Sequence, residues 1–190
     1  MNSSLIHSPR RDRTTAAILD AAAHVLAADG AAASMADVAN AAGVGRATLY
    51  RYFETRESLL EALAADAVAE AGARLADAGL DGVPVELAIE RIVRAIVAVG
   101  DRYAIIVREG ILPDREDEEV ERLLGMPIRA VFARGVRTEV LRSDVSLEIL
   151  LELFGGLLTS TIKLVGQRRV GLEDAAAAVT DVFLQGSRAQ

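Results

Sequence analysis

The sequence predicts an all-α protein, and three observations carry that expectation. Hydrophobic residues make up 52% of the 190 positions, enough to build a sizeable core. Aromatic residues make up only 4%, whereas β-rich domains draw on rings and alternating β-branched runs. Ala, Leu and Val are abundant and recur at the three- and four-residue spacing of helix faces. The punctuation between these runs divides the chain into a flexible arm at residues 1–12, a three-helix unit with a helix-turn-helix at residues 13–54, and a larger helical domain at residues 55–190.

The first helix is expected over residues 13–28, where Ile18, Ala22, Val25 and Leu26 share a face and Asp29-Gly30 stops the run. Ser34 is placed to cap a short second helix that turns Met35, Val38 and Ala39 inward and carries Asp37 in its first turn, where the helix dipole favours a carboxylate. Ala42-Gly43-Val44 forces the turn. Gly43 supplies the left-handed conformation, Val44 plugs the angle between helices, and Gly45 lets the next helix start at once. In residues 46–53, Leu49 and Phe53 face inward while Ala47 and Arg51 lie opposite. That outer face suits a DNA major groove. Arg46, Arg51 and Arg56 can neutralise phosphates or fork onto guanine, the hydroxyls of Thr48, Tyr50 and Tyr52 can donate to phosphate oxygens, and small Ala47 admits close approach to base edges. A plain helical hairpin with Leu49, Tyr50, Tyr52 and Phe53 as ordinary core is the bland reading, and the full ordered string speaks against it.

Thr55 is placed to cap a longer helix bearing Leu59, Leu60, Leu63, Ala67 and Val68, the expected lever between the two halves. The pattern breaks at residues 79–84, resumes over residues 85–99 with Leu87, Ile92, Val93, Ile96 and Val97, and continues as a short helix at residues 101–110. Pro113 ends that run. Asp114, Glu116, Asp117, Glu118 and Glu119 then stand at a helix start, where negative charge is favoured; an acidic metal site is the sharper alternative, but no His lies nearby in sequence. Gly125-Met126-Pro127 is expected to kink or split the following helix and open a cavity. The last two helices, at residues 146–166 and 172–185, are the expected dimerisation surface, through Leu150, Phe154, Leu157, Leu158, Ile162, Val179, Val182 and Phe183; closing the subunit's own core is the competing use of the same residues. The apolar stretch at residues 147–165 is interrupted by Glu148, Glu152 and Lys163, which are expensive in lipid, and reads as a buried helix of a soluble protein.

The amino-terminal string resembles that of the TetR-like (TetR/AcrR) bacterial transcriptional repressors. The matching residues are IL-x-AA at Ile18 to Ala22, Gly30, the hydroxyl of Ser34, AAGV at Ala41 to Val44, TLYRYF at Thr48 to Phe53, and Arg56, Glu57 and Leu59. The resemblance covers residues 13–63. It implies a homodimer whose two reader helices enter successive major grooves of a palindromic operator in double-stranded DNA, released when a small-molecule effector enters a carboxy-terminal ligand-binding and dimerisation domain. Carried over by position, the DNA contacts fall on Ser34, Gly45, Arg46, Ala47, Thr48, Tyr50, Arg51, Tyr52 and Arg56. Gly45 stands where the family usually has Ser, Arg51 where His is common, and Arg56 where Lys is usual, so base preference is expected to differ most at Arg51. The implied pocket lies in the larger domain, where polarity and shape point to Tyr103, Ile106, Met126, Phe132, Phe154 and Thr159.

A net charge of −7 sits oddly with DNA until its distribution is considered. Through Arg56 there are six Arg against five acids, a balance of +1, leaving −8 on the remainder. Local positive charge supplies phosphate affinity while an acidic body limits indiscriminate sticking. Without cysteine, neither a disulfide framework nor a thiolate metal site is available, which is compatible with a cytoplasmic location. The arm carries Arg10 and Arg11 but no apolar signal core, and basic arms of this kind reach minor grooves. His7 and His24 are the only histidines, and no catalytic constellation is found; no enzyme activity, cofactor or metal is expected. A helical protein-binding adaptor that has lost specific DNA binding is the rival class, and the intact reader helix argues against it.

Overall fold

A computed structural model describes residues 9–100, 102, 104, 106, 117–167 and 169–189. The chain divides into two compact units between Leu63 and Ala64. Among the described residues the regular elements are helical, and the only β feature is an isolated bridge between Leu141 and Arg188.

The first unit holds α1 (Pro9–Asp29), α2 (Met35–Ala41), α3 (Arg46–Tyr52) and the start of α4 (Arg56–Asp77). Helix α1 begins four residues ahead of the expected start, with Pro9 at the position where a missing N–H costs nothing. Ile18, Leu19, Ala22, Ala23 and Leu26 of α1 are buried, as are Val38, Ala39, Leu49, Phe53, Leu59, Leu60 and Leu63. Val25, expected on the inner face, is half-buried. The α2–α3 turn closes with Gly43 at φ +66°, its N–H on the Asn40 carbonyl and the Val44 N–H on the Ala39 carbonyl, the paired bonds of a glycine helix stop. Thr55 caps α4 as expected. Its hydroxyl accepts from the Ser58 N–H, and the Ser58 hydroxyl accepts in turn from the Thr55 N–H.

In the second unit the loop after α4 turns through Gly79 and Gly82, both at positive φ, into α5 (Val85–Val97). This helix buries Val85, Ala88, Ile89, Ile92, Val93 and Ile96. The expected helix at residues 101–110 lies largely outside the described residues. Beyond it come α6 (Glu118–Val120), capped by the Asp117 carboxylate through the N–H groups of Glu119 and Val120, a π-helical turn at Glu121–Gly125, and α7 (Met126–Arg137). Two long helices, α8 (Leu147–Gly166) and α9 (Leu172–Ser187), complete the unit, and α5 packs on α7, α8 and α9.

The centre of this unit is a triangle of rings. Phe132, Phe154 and Phe183 have centroids 5.0–5.4 Å apart in tilted and edge-on arrangements, and each is at most 5% exposed. Close packing elsewhere depends on missing side chains. A Cβ on Gly72 would lie 2.9 Å from that of Leu123, which brings α4 and the π-helical turn into direct contact within this unit.

Candidate nucleic-acid interface and cavity

The outer face of α3 is held open by local bonds. Ser34 and Asp37 form a reciprocal box: the Asp37 N–H donates to the Ser34 hydroxyl at 3.2 Å, and the Ser34 N–H donates back to the Asp37 carboxylate at 2.9 Å. The Ser34 hydroxyl also donates to that carboxylate. These bonds from the Ser34 hydroxyl and N–H, with the charge of Arg46 adding a little, hold the Asp37 carboxyl below its ordinary value. The inward anchors of α3 are Leu49, fully buried, and Phe53.

Arg46, Ala47, Tyr50 and Arg51 are exposed on the opposite side, and Thr48 and Tyr52 are half-exposed. The Arg51 guanidinium lies 5.6 Å from the centre of the Tyr52 ring, a cation–π arrangement. Gly45 is the N-cap of α3 and gives it no side-chain bond. Two residues of the expected contact set already have structural work. The Ser34 hydroxyl is spent on the capping box, and Arg56 donates to the Ala33 carbonyl at 2.9 Å, tying the start of α4 to the residue that precedes the α2 cap. That second bond spans 23 positions, so local pattern gave no hint of it.

The second unit contains a cavity of about 340 Å³ beside the π-helical turn. Its walls are aliphatic, from Ile96, Leu124, Ile128, Leu151, Leu158 and Ile162, with the edge of Phe154; the polar lining is Glu121, Arg129 and Thr159. The turn has a physical cause. Pro127 cannot donate to the carbonyl four residues back, and just ahead of it the Met126 N–H bonds to the Glu121 carbonyl, five residues back. The expected distortion at Gly125-Met126-Pro127 is therefore present as a widened turn beginning at Glu121.

Of the six residues expected to line a pocket, Phe154 and Thr159 do so. Phe132 lies in the aromatic core, Ile106 is buried away from the cavity lining, Met126 is 59% exposed, and Tyr103 lies outside the described residues. Glu121, Ile128 and Arg129 went unnamed because a π-helical turn rotates side chains out of the ordinary helical register. Among the described residues no group of three or more His, Asp or Glu is gathered to hold a metal ion; Asp114 and Glu116 lie outside them.

Of the residues expected at a subunit interface, Leu150, Phe154, Leu158, Ile162, Val179 and Phe183 are at most 6% exposed within the single subunit, and Leu157 and Val182 keep accessible surface. The sequence pattern misses an apolar stripe on the other face of α8, where Ile149 and Leu153 are both more than half exposed; Val182 of α9 is 60% exposed. By length and composition α8 could cross a membrane. Its inner face, however, is committed to this unit's core.

Comparison with known proteins bears on the family resemblance and the fold. A family model described as bacterial regulatory proteins, tetR family, matches residues 18–63, the span of the capped helices and the start of α4. The HTH-type transcriptional repressor LfrR of Mycolicibacterium smegmatis is 41% identical over 117 residues, a stretch that spans 61% of this chain and 61% of LfrR. The crystal structure of LfrR in complex with proflavine superposes with a TM-score of 0.73 at 27% identity, covering 92% of this chain and 96% of that one. PfmR from Thermus thermophilus superposes at 0.70 with 24% identity, over 88% of this chain and 97% of its own, and so shares the fold. An amino-terminal helix-turn-helix followed by a helical carboxy-terminal domain is thus common to these chains, and over residues 18–63 this chain is similar to the tetR family of bacterial regulatory proteins.

Proposed function

We propose that this protein is a transcriptional repressor that binds a palindromic DNA operator as a homodimer and is released by a small-molecule effector. The observation that carries the reading is the outer face of α3: Arg46, Ala47, Tyr50 and Arg51 stand exposed while Leu49 and Phe53 anchor the helix beneath. Exposed arginines and phenols on a helix presented by a rigid turn match the chemistry of phosphates and base edges. The contact set is Gly45, Arg46, Ala47, Thr48, Tyr50, Arg51 and Tyr52, with Ser34 and Arg56 holding the geometry behind it.

Two further features support the fuller reading. The exposed stripe of Ile149 and Leu153, with Val182, is a surface that a second copy would cover, and two copies reading one operator require recognition helices about 34–36 Å apart. The cavity lies beside a turn packed on Gly72 of α4, the helix whose amino-terminal part belongs to the reader unit. A ligand that shifts the turn thereby acts on α4, the proposed lever. LfrR, solved with proflavine, supports a small molecule as effector. With a DNA-regulating role goes a cytoplasmic location.

The test is selection of genomic fragments by the purified protein. Wild type should enrich a two-fold symmetric site. Arg51→Ala should change which base is preferred, and Leu153→Asp should give a monomer that no longer holds both half-sites. A protein that enriches nothing over random duplex, or an Arg51→Ala variant weakened with unchanged preference, counts against the assignment.

A further inference from the structure

We infer that a second site, an open cleft at the carboxy-terminal end of α4, binds a small organic carboxylate, and that Arg91 is the residue that takes it. The cleft has a volume of about 470 Å³, within the range of small-molecule pockets, and shares no lining residue with the cavity beside the π-helical turn. It is formed by the end of α4, the end of α5 and the start of α9. The faces that meet there are short: Ala78, Ala95, Ala98 and Ala176 line the cleft together with Leu172, which is 40% exposed. Methyl groups cannot fill the space between three helices, and the apolar surface left open receives a hydrocarbon or a ring.

The charged lining is Arg74, Arg91 and Arg94 against Asp77 and Glu173. Two of these arginines are occupied on their own helices: Arg74 gives Nε and Nη2 to Glu70, and Arg94 pairs through Nη2 with Glu90 at 3.0 Å. Arg91 is held differently. Its Nη1 donates to the carbonyls of Ala78 and Gly79, at 2.8 Å each, and so caps the end of α4. Gly79, at φ +59°, permits the approach, since a Cβ there would lie 3.2 Å from Nη1. Half-buried and pinned at Nη1, Arg91 makes no other side-chain bond among the described residues. Its Nε–Nη2 edge is therefore open, and that edge takes both oxygens of a carboxylate. Asp77 and Glu173 limit the charge the ligand can carry. Both are exposed and neither is ion-paired among the described residues, so each repels an anion only through water. A phosphate ester, with up to twice the charge, meets that repulsion doubled, which favours the carboxylate. A cationic head gains only a water-screened attraction and leaves the Arg91 edge unused.

Isothermal calorimetry on the full chain with three probes that share one apolar body, 4-phenylbutyrate, 4-phenylbutylamine and 4-phenylbutyl phosphate, tests this. The carboxylate should bind at least about tenfold tighter than the amine, and tighter than the phosphate. Arg91→Lys keeps the charge and removes the fork, and should weaken the carboxylate about tenfold. Asp77→Asn and Glu173→Gln should each tighten it by about two- to threefold, the size of a screened surface interaction. Ala98→Phe, at an exposed position, fills the cleft and should abolish binding, whereas Leu151→Trp, in the other cavity, should leave it unchanged. This pair of variants gives the reading should Arg91→Lys fold poorly. The inference is overturned if none of the probes binds, if the amine or the phosphate binds as tightly as the carboxylate, or if Arg91→Lys keeps the wild-type affinity. Loss of binding in Leu151→Trp with full affinity in Ala98→Phe overturns it too, by moving the carboxylate to the other cavity.

Discussion

The unit ending at Leu63 and the unit beginning at Ala64 hold their helices by different means. In the first, the defining bonds join residues five or fewer apart: Ser34 with Asp37, Gly43 with Asn40, Val44 with Ala39, and Thr55 with Ser58. The Arg56 bond to Ala33 reaches further. In the second unit the shape comes from side chains remote in sequence, such as the ring triangle of Phe132, Phe154 and Phe183 and the seating of Leu123 on Gly72. Local bonding leaves the outer face of α3 with no packing duty, so it is available for chemistry. Remote packing lets an imperfection, the π-helical turn, become a cavity.

The largest effect is expected where the second unit depends on remote contact. Phe132→Ala removes a fully buried ring from the triangle and should cost about 3–5 kcal/mol in chemical denaturation. Arg51→Ala, on the exposed face of α3, should stay within about 0.5 kcal/mol of wild type in the same assay. Similar losses for the two variants would erase the contrast between the units.

A smaller loss is expected in the local bonding of the first unit. Gly43→Ala meets nothing within 4 Å, so sterics between side chains are no obstacle; the cost is the left-handed backbone at φ +66°. A residue with a Cβ pays about 1–2 kcal/mol there. Thermal melting should show the loss, and specific DNA binding should weaken with it because the turn sets the angle of α3. A variant as stable as wild type would mean that the turn relaxes to another conformation.

The same contrast explains what the sequence made legible. Ser34, Gly43, Leu49 and Phe53 announce their roles within twenty positions, because caps, left-handed turns and four-residue spacing are local rules. Helix α8 was harder to read. It is apolar on two faces; the spacing singles out Leu150, Phe154 and Leu158 for a subunit interface or for the subunit's own core without deciding between them, and it passes over Ile149 and Leu153. The structure turns the first stripe inward, against α5, α7 and α9. The π-helical turn left even less trace: Gly125-Met126-Pro127 signalled a distortion, but not that it begins at Glu121 or brings Glu121 and Arg129 to one cavity.

The smallest expected effect lies at the N-cap of α3 and separates structural from electrostatic contributions on the proposed DNA face. Gly45 has extended dihedrals, φ −70° and ψ 149°, that any residue adopts, and a Cβ there would come no closer than 4.0 Å to the Thr48 hydroxyl. Gly45→Ser therefore fits without strain. Its hydroxyl can accept from the Thr48 N–H, which should raise stability by about a few tenths of a kcal/mol, near the resolution of a careful denaturation series. Serine adds a hydrogen-bonding group beside Arg46 but no charge, so DNA affinity should rise while the dependence of binding on salt keeps its slope, since that slope counts neutralised phosphates. A changed slope would show that the substitution moves Arg46 or Arg51, and α3 would then be held less firmly by Leu49 and Phe53 than their burial implies.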